Sequence, residues 1–308
     1  MATTQPTSQI SLQSGRGSMR EEIDVVAVSP GVEVYLEDTG PLDAPTAVVL
    51  HGGPGGSSYV LREGLEDELE GLRVLYLDQR GGGRSPALPE EPRLFTIDAL
   101  VEDLEHLRDH LEVEGWTLLG HGFGGLLALD YARRYPQFSH RLVLINPWIN
   151  FPWLARQLYR ASLGLLGIPE QDVEAEEPQD GTRLLQEAFA NVEPKAVFDT
   201  LLFPNQHSRM EYEWLAESQP VVGADTPGRM FVLNGLWRLD YTPFLLEVQV
   251  PTSVLLGTLD ASSYPEALTI VDLTGGHLEL IEGAGHYPWI DQPHAFSHAL
   301  YNALQDTG

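Results

Sequence analysis

The chain has 308 residues, a formal net charge of −27 at pH 7 and no cysteine. So negative a protein is repelled by nucleic acid and by anionic membrane surfaces, and without thiols it has no disulfide framework, no thiolate nucleophile and no thiolate metal ligand. No apolar run approaches the roughly 20 residues that span a bilayer, so a cytoplasmic protein acting on a small molecule or short peptide is expected, without nucleic-acid or membrane partners.

Residues 1–20 are rich in Ser, Thr, Gln and Gly, carry two arginines and lack an apolar stretch, which predicts a disordered tail and not a signal peptide. Glu22 to Val28 and Val32 to Glu37 are rich in β-branched residues and flank the turn signal Ser29-Pro30-Gly31; they read as an antiparallel hairpin. Ala47 to Leu50 is a short buried-type strand that runs into His51-Gly52-Gly53-Pro54-Gly55-Gly56. Unhindered backbone N–H groups in such a loop can face a developing negative charge. Val74 to Leu77 leads into Asp78-Gln79-Arg80-Gly81-Gly82-Gly83-Arg84-Ser85, where an Asp–Arg pair would pin a tight crossover.

Thr96 is placed to cap a helix with Ile97, Leu100, Val101, Leu104, Leu107 and Leu111 on its apolar stripe. Glu102, Asp103, Glu105, Arg108 and Asp109 would form its outer face, with His106 in solvent. Trp116 to Leu119 is the next strand, the helix Leu126 to Tyr135 follows a glycine-rich turn, and Leu142 to Ile145 is another strand. From Pro147 to about Glu247 strand patterns vanish, and Asp172 to Asp180 reads as an exposed acidic loop. Strands then return at Ser253 to Leu256 and His277 to Ile281, and a helix from Gln292 to about Leu304 closes the chain. The prediction is an α/β fold with about eight strands in a mostly parallel sheet and helices on both faces. Its core would span 21–146 and 248–308, and 147–247 would form a helical lid over a pocket.

The strand–turn–helix at Trp116 to Gly125 carries the chemistry. Gly120-His121-Gly122-Phe123-Gly124 fits the Gly-x-Ser-x-Gly nucleophile elbow, with Gly122 in the serine position. Gly120, Gly122 and Gly125 also spell the dinucleotide fingerprint, but that motif belongs to a first strand–helix unit and expects an acid at the end of the next strand, where Asn146 and Pro147 stand. Asp260 and His286 each follow a late strand, so both fall at the carboxyl edge of a parallel sheet, as the elbow does. The chain order elbow, acid, histidine is that of a hydrolase triad. His51, His121 and His286 lie near one pocket mouth without the spacing of a metal site, and neither metal nor cofactor is expected.

Taken together, His51 to Gly56, Asp78 to Ser85, Gly120 to Gly125, Gly257 to Asp260 and Gly283 to His286 resemble the proline iminopeptidase family of α/β-hydrolases. The resemblance runs from about Val32 to the C-terminus and is sharp only in the core. It implies an aminopeptidase-like or esterase-like enzyme that passes through an acyl-enzyme. Phe123 and Gly52 or Gly53 would supply the oxyanion hole, His286 the general base and acid, and Asp260 the group that orients it. It also implies a lid carboxylate for the substrate's amino group, for which Glu211, Glu213 and Glu217, near Trp214, are the candidates. Because Gly122 has no side chain, no acyl-enzyme forms through it. Three readings follow: a hydrolase inactivated by knockout or natural variation, a non-catalytic ligand binder, or slow hydrolysis by water that His286 activates. Ser57, Ser58 and Ser85 are alternative nucleophiles only if a loop hydroxyl replaces the elbow's.

Overall fold

The computed structural model describes residues 20–169, 180–219 and 225–305. The predicted tail lies outside these residues apart from Arg20, and so does the acidic loop apart from Asp180. Eight strands form one sheet: β1 (Glu21–Ser29), β2 (Val32–Thr39), β3 (Thr46–Leu50), β4 (Arg73–Asp78), β5 (Trp116–His121), β6 (Ser139–Ile145), β7 (Thr252–Gly257) and β8 (His277–Ile281). Their spatial order is β1-β2-β4-β3-β5-β6-β7-β8. The first two ladders are antiparallel and all others parallel. The continuous apolar runs of β3, β4, β6 and β7 are explained by burial on both faces, and alternate residues serve opposite layers.

On one face Val48, Leu50, Leu75, Leu118, Leu142 and Val254 share a core with α2 (Ile97–His110), α3 (Phe123–Arg134) and α9 (Tyr264–Thr274). On the other, Ala47, Val49, Tyr76, Leu119, Val143 and Leu255 pack against α1 (Tyr59–Leu65), α10 (Pro288–Asp291) and α11 (Pro293–Gln305). Between β6 and β7 the chain leaves the sheet to form α4 (Phe151–Leu165), α5 (Thr182–Ala188), α6 (Pro194–Leu202), α7 (Gln206–Glu217) and α8 (Asp225–Leu233).

Thr96 caps α2 as its sequence suggests, accepting from the Ala99 N–H at 3.1 Å. The expected outer face of α2 needs one correction. Asp103 and Arg108 are buried, because Asp103 receives the Arg80 guanidinium at 2.5 Å through two nitrogens while Arg108 lies 3.9 Å over the Phe138 ring. α3 also begins at Phe123, three residues earlier than its apolar pattern indicates. No helix among the described residues is long and apolar enough to cross a membrane.

Candidate active site

Strands β3, β5, β7 and β8 are parallel, so the loops at their carboxyl ends meet on one edge of the sheet. At the end of β5, Gly122 has φ 52° and ψ −117°, a conformation that strains any residue with a Cβ. Its N–H donates to the Ile145 carbonyl at 3.1 Å, and its own carbonyl accepts from Gly125 and Trp148, each at 3.0 Å. The chain can turn into α3 so sharply because Gly124 packs against β3; a Cβ there would collide with the Leu50 carbonyl. The fingerprint glycines have local reasons of the same kind: a Cβ on Gly120 would meet the Gly124 carbonyl, one on Gly125 would meet Pro147, and Gly122 has a positive φ.

A Cβ on Gly122 would stand 3.2 Å from His286 Nε2 and 3.8 Å from the Gly52 Cα. A serine hydroxyl, one bond further out, falls within hydrogen-bond reach of that nitrogen. Behind the ring, His286 Nδ1 and Asp260 Oδ2 are 2.8 Å apart, and both side chains are buried. The other Asp260 oxygen accepts from the Ser262 N–H at 3.0 Å and the Ser262 hydroxyl at 2.5 Å. An acceptor-only carboxylate facing Nδ1 assigns the proton to that nitrogen, which leaves the unprotonated Nε2 facing position 122.

The imidazole is held between rings. Trp148 stacks on it with centroids 4.7 Å apart and planes 18° apart, and His121 lies 4.4 Å away on a tilted plane. Trp148 Nε1–H donates to the Ser262 hydroxyl at 2.9 Å, so one serine joins the stacking ring to the acid. The His286 backbone is equally fixed: its N–H donates to Leu202 O at 3.0 Å, and its carbonyl accepts from His121 Nε2 and from Asn146 Nδ2, both at 3.0 Å. Burial drives the His121 pKa well below that of free histidine, so this ring is neutral and its Nε2–H is the donor.

Asn146, which the sequence shows only as a strand-ending turn residue, ties three loops. It sits at φ 44°, donates to the carbonyls of Gly285 and His286 and accepts the Gly257 N–H at 2.9 Å. Trp148, Ser262 and Asn146 all carry the site and were not singled out from sequence. Asn tolerates positive φ and its amide serves both donor and acceptor roles, but the partners lie more than 100 residues away.

The His51-Gly52-Gly53 loop is set by His51. Gln79 N–H donates to its Nε2 at 3.0 Å, so Nδ1 carries the proton and donates to the Gly52 carbonyl at 2.6 Å; burial lowers its pKa and keeps it neutral. Below the loop, Asp78 accepts from the hydroxyls of Ser57 and Ser58 and from Arg84. Burial alone would raise the Asp78 pKa, yet the Arg84 hydrogen bond and charge, aided by Ser58, bring it below the ordinary carboxylate value. Ser85 donates to the Asp78 carbonyl at 2.6 Å and accepts the Tyr35 N–H at 2.8 Å. Ser57, Ser58 and Ser85 are thus anchored in structure, and none of them occupies position 122. Phe123 N–H opens α3 and has no hydrogen-bond acceptor among the described residues. The Gly52 and Gly53 N–H groups likewise have no hydrogen-bond acceptor among the described residues.

A cavity of about 450 Å³ opens in front of His286. Gly52, Gly53, His121 and Tyr287 line it on the core side, and Trp148, Leu154, Phe189, Tyr212 and Trp237 on the insert side. Glu211, Glu213, Trp214 and Glu217 are absent from this lining. Glu213 pairs with Lys195 at 2.5 Å, Glu211 faces His207, Glu217 is exposed and Trp214 is 69 % exposed. The inward side of α7 presents Tyr212 instead. Helical periodicity explains the difference: residues 211, 214 and 217 share the opposite stripe.

A family model described as the alpha/beta hydrolase fold matches residues 45–293, which includes the elbow, Asp260 and His286. The chain belongs to that family. Alpha/beta hydrolases of this kind are hydrolytic enzymes, and curated relatives are proline iminopeptidases. The protein of that name from Lactobacillus helveticus is 29% identical over 273 residues, covering 85% of this chain and 90% of its own. That from Saccharolobus solfataricus is 26% identical over 255 residues, or 78% of each chain. Among solved structures, a proline iminopeptidase-related protein from Thermus thermophilus superposes with TM-score 0.86 at 50% identity, over 93% of this hydrolase and 98% of that chain. The proline iminopeptidase of Mycobacterium smegmatis, at 20% identity and TM-score 0.65, shares the fold.

Proposed function

We propose that the site is the acyl-transfer centre of a serine-hydrolase-type enzyme for small amides or esters, in which Gly122 removes the attacking oxygen. The carrying observation is the 3.2 Å gap between a Cβ at position 122 and His286 Nε2, with Asp260 behind the imidazole and oxyanion donors beside it. With a hydroxyl at 122, His286 Nε2 would take its proton as the oxygen attacks the acyl carbon. Phe123 and Gly52 or Gly53 amides would hold the oxyanion, and the imidazolium would return the proton to the leaving group. Water would then release the acyl group by the same base. Without that hydroxyl no acyl-enzyme forms on this chain. The insert at 147–247 would act as the lid over the core at 21–146 and 248–308.

The relatives' names point to an N-terminal amino-acyl group, such as prolyl, as the acyl part. A second reading, a non-catalytic ligand binder, is favoured by Gly122 together with an intact cavity.

The test is labelling with a fluorophosphonate, read by intact mass, of the chain as it stands and of Gly122→Ser. Labelling of the variant alone supports the hydrolase reading. Labelling of neither overturns it and leaves the binder, which a thermal-shift screen of metabolites on the unaltered chain would then test.

A further inference from the structure

The cavity wall in front of His286 carries a chemical preference that differs from the one the relatives' names suggest. Among the described residues that line it there is no Asp, Glu, Lys or Arg. On the insert side the wall is Leu154, Leu185, Phe189, Phe198, Leu236 and Trp237. Of the polar groups nearby, the indole N–H groups of Trp237 and Trp289 have no partner among the described residues, but they are donors and offer an ammonium nothing, and the open acceptor is the neutral His286 Nε2. His51 is bonded to the Gly52 carbonyl and the Gln79 N–H, His121 Nε2 is bonded to the His286 carbonyl, and the Tyr212 and Tyr287 rings pack against each other with centroids 4.3 Å apart. Asp260 faces His286 Nδ1 and Ser262, and Asp78 faces Ser57, Ser58 and Arg84, so neither carboxylate is turned to the cavity. Aromatic faces able to hold a cation are partly taken too. Trp148 is stacked on His286, and Tyr287 on Phe203 with centroids 5.1 Å apart and planes 18° apart.

An ammonium group placed here would lose its water and meet no carboxylate among the described lining residues, a large penalty for an uncompensated charge. An uncharged ring or alkyl group of similar size loses only apolar hydration, which favours its burial. We propose that the cavity accepts a neutral, apolar acyl group and discriminates against one that carries a free α-amino group. The proposal rests on the acyl-transfer reading and names its substrate class. The chemistry is that of a carboxylic ester or amide with a hydrocarbon acyl part, its carbonyl oxygen at the oxyanion amides.

Two isosteric amides isolate the charge. L-Prolinamide carries a ring ammonium at about pH 6, and cyclopentanecarboxamide places CH₂ at that position. Binding to the unaltered chain is measured by calorimetry or thermal shift, together with protection of Gly122→Ser from fluorophosphonate. The expected result is binding and protection by cyclopentanecarboxamide at concentrations roughly tenfold lower than by L-prolinamide, the scale on which pockets discriminate such pairs. Equal or stronger binding of L-prolinamide overturns the proposal, as does failure of both amides to bind. Labelling itself reports separately on the acyl-transfer reading: if the serine variant is not labelled that reading falls, while the binding comparison still decides the cavity's preference.

Discussion

Trp148 lies flat against the imidazole of His286, with ring centroids 4.7 Å apart. Its backbone N–H is bonded to the Gly122 carbonyl and its indole N–H to Ser262, the residue that also donates to Asp260. One residue therefore touches the elbow, His286 and the serine that supports Asp260. Trp148→Phe keeps a stacking ring and loses the indole donor. In the Gly122→Ser background it should lower kcat with little change in KM and cost about 1 kcal/mol of stability. Trp148→Ala should cost about 3–5 kcal/mol. Steady-state kinetics and urea unfolding check both.

Gly122 relieves strain that a serine would have to bear. At φ 52° and ψ −117°, Gly122→Ala should destabilise the fold by about 1–3 kcal/mol. Gly122→Ser should lose less, to the extent that its hydroxyl bonds to His286 Nε2. Equilibrium unfolding of the three proteins gives the order Gly, Ser, Ala; an alanine variant as stable as the parent would refute the strain.

Asn146 fixes His286 through its carbonyl and β7 through the Gly257 N–H. Asn146→Ala orphans these buried groups, and at about 1–3 kcal/mol for each unsatisfied partner the loss should be on the order of 3 kcal/mol. Asn146→Asp keeps the acceptor but sets a carboxylate against two carbonyls, so it should be no more stable. Thermal unfolding and protease susceptibility of the His286 loop report the effect.

Glu266 sets an alkaline limit on stability. Its side chain is 4 % exposed, one oxygen accepts the Ile149 N–H at 2.5 Å, and the other has no partner among the described residues. Burial pushes its pKa well above the ordinary value, and the charges of Asp260 and Asp240 push the same way. The folded state therefore holds this proton more tightly than the unfolded state. The stability it contributes is complete below the unfolded glutamate pKa and is lost as pH rises toward the folded one. Glu266→Gln should flatten that decline between mildly acidic and alkaline pH, as thermal unfolding across the range would show. An unchanged slope in the variant would place the titration elsewhere.

Much of this architecture is written locally. The runs at Ala47 to Leu50, Leu142 to Ile145 and Ser253 to Leu256 read as buried parallel strands because both neighbouring layers demand apolar side chains. Asp260 and His286 were legible because a strand followed by a loop places them on the same sheet edge, where the structure brings them 2.8 Å apart. The start of α3 was not legible. Phe123-Gly124-Gly125 has poor helix propensity, and the turn at Gly122 imposes helix there. The Asn146 clamp depends on contacts to residues 257, 285 and 286, and no local pattern records them. For α7, the lid carboxylate that the resemblance implies points to Glu211, Glu213 and Glu217, while the side of the helix that faces the cavity is set by packing and belongs to Tyr212.

The order of loops along the chain also shapes its birth. The His51–Gly56 loop and the elbow precede the insert, whereas Asp260 and His286 follow β7 and β8 after it. A ribosome-bound chain that has just completed the insert would hold the elbow and the cavity's apolar wall, with the β6 edge still unpaired. Such an intermediate exposes sticky surface and an open strand, the features that recruit chaperones and invite aggregation. Synthesis of the last stretch pairs the β6 edge with β7, sets β8 outside it as the new edge strand and brings His286 to the elbow, so the histidine arrives together with the strands that shelter β6.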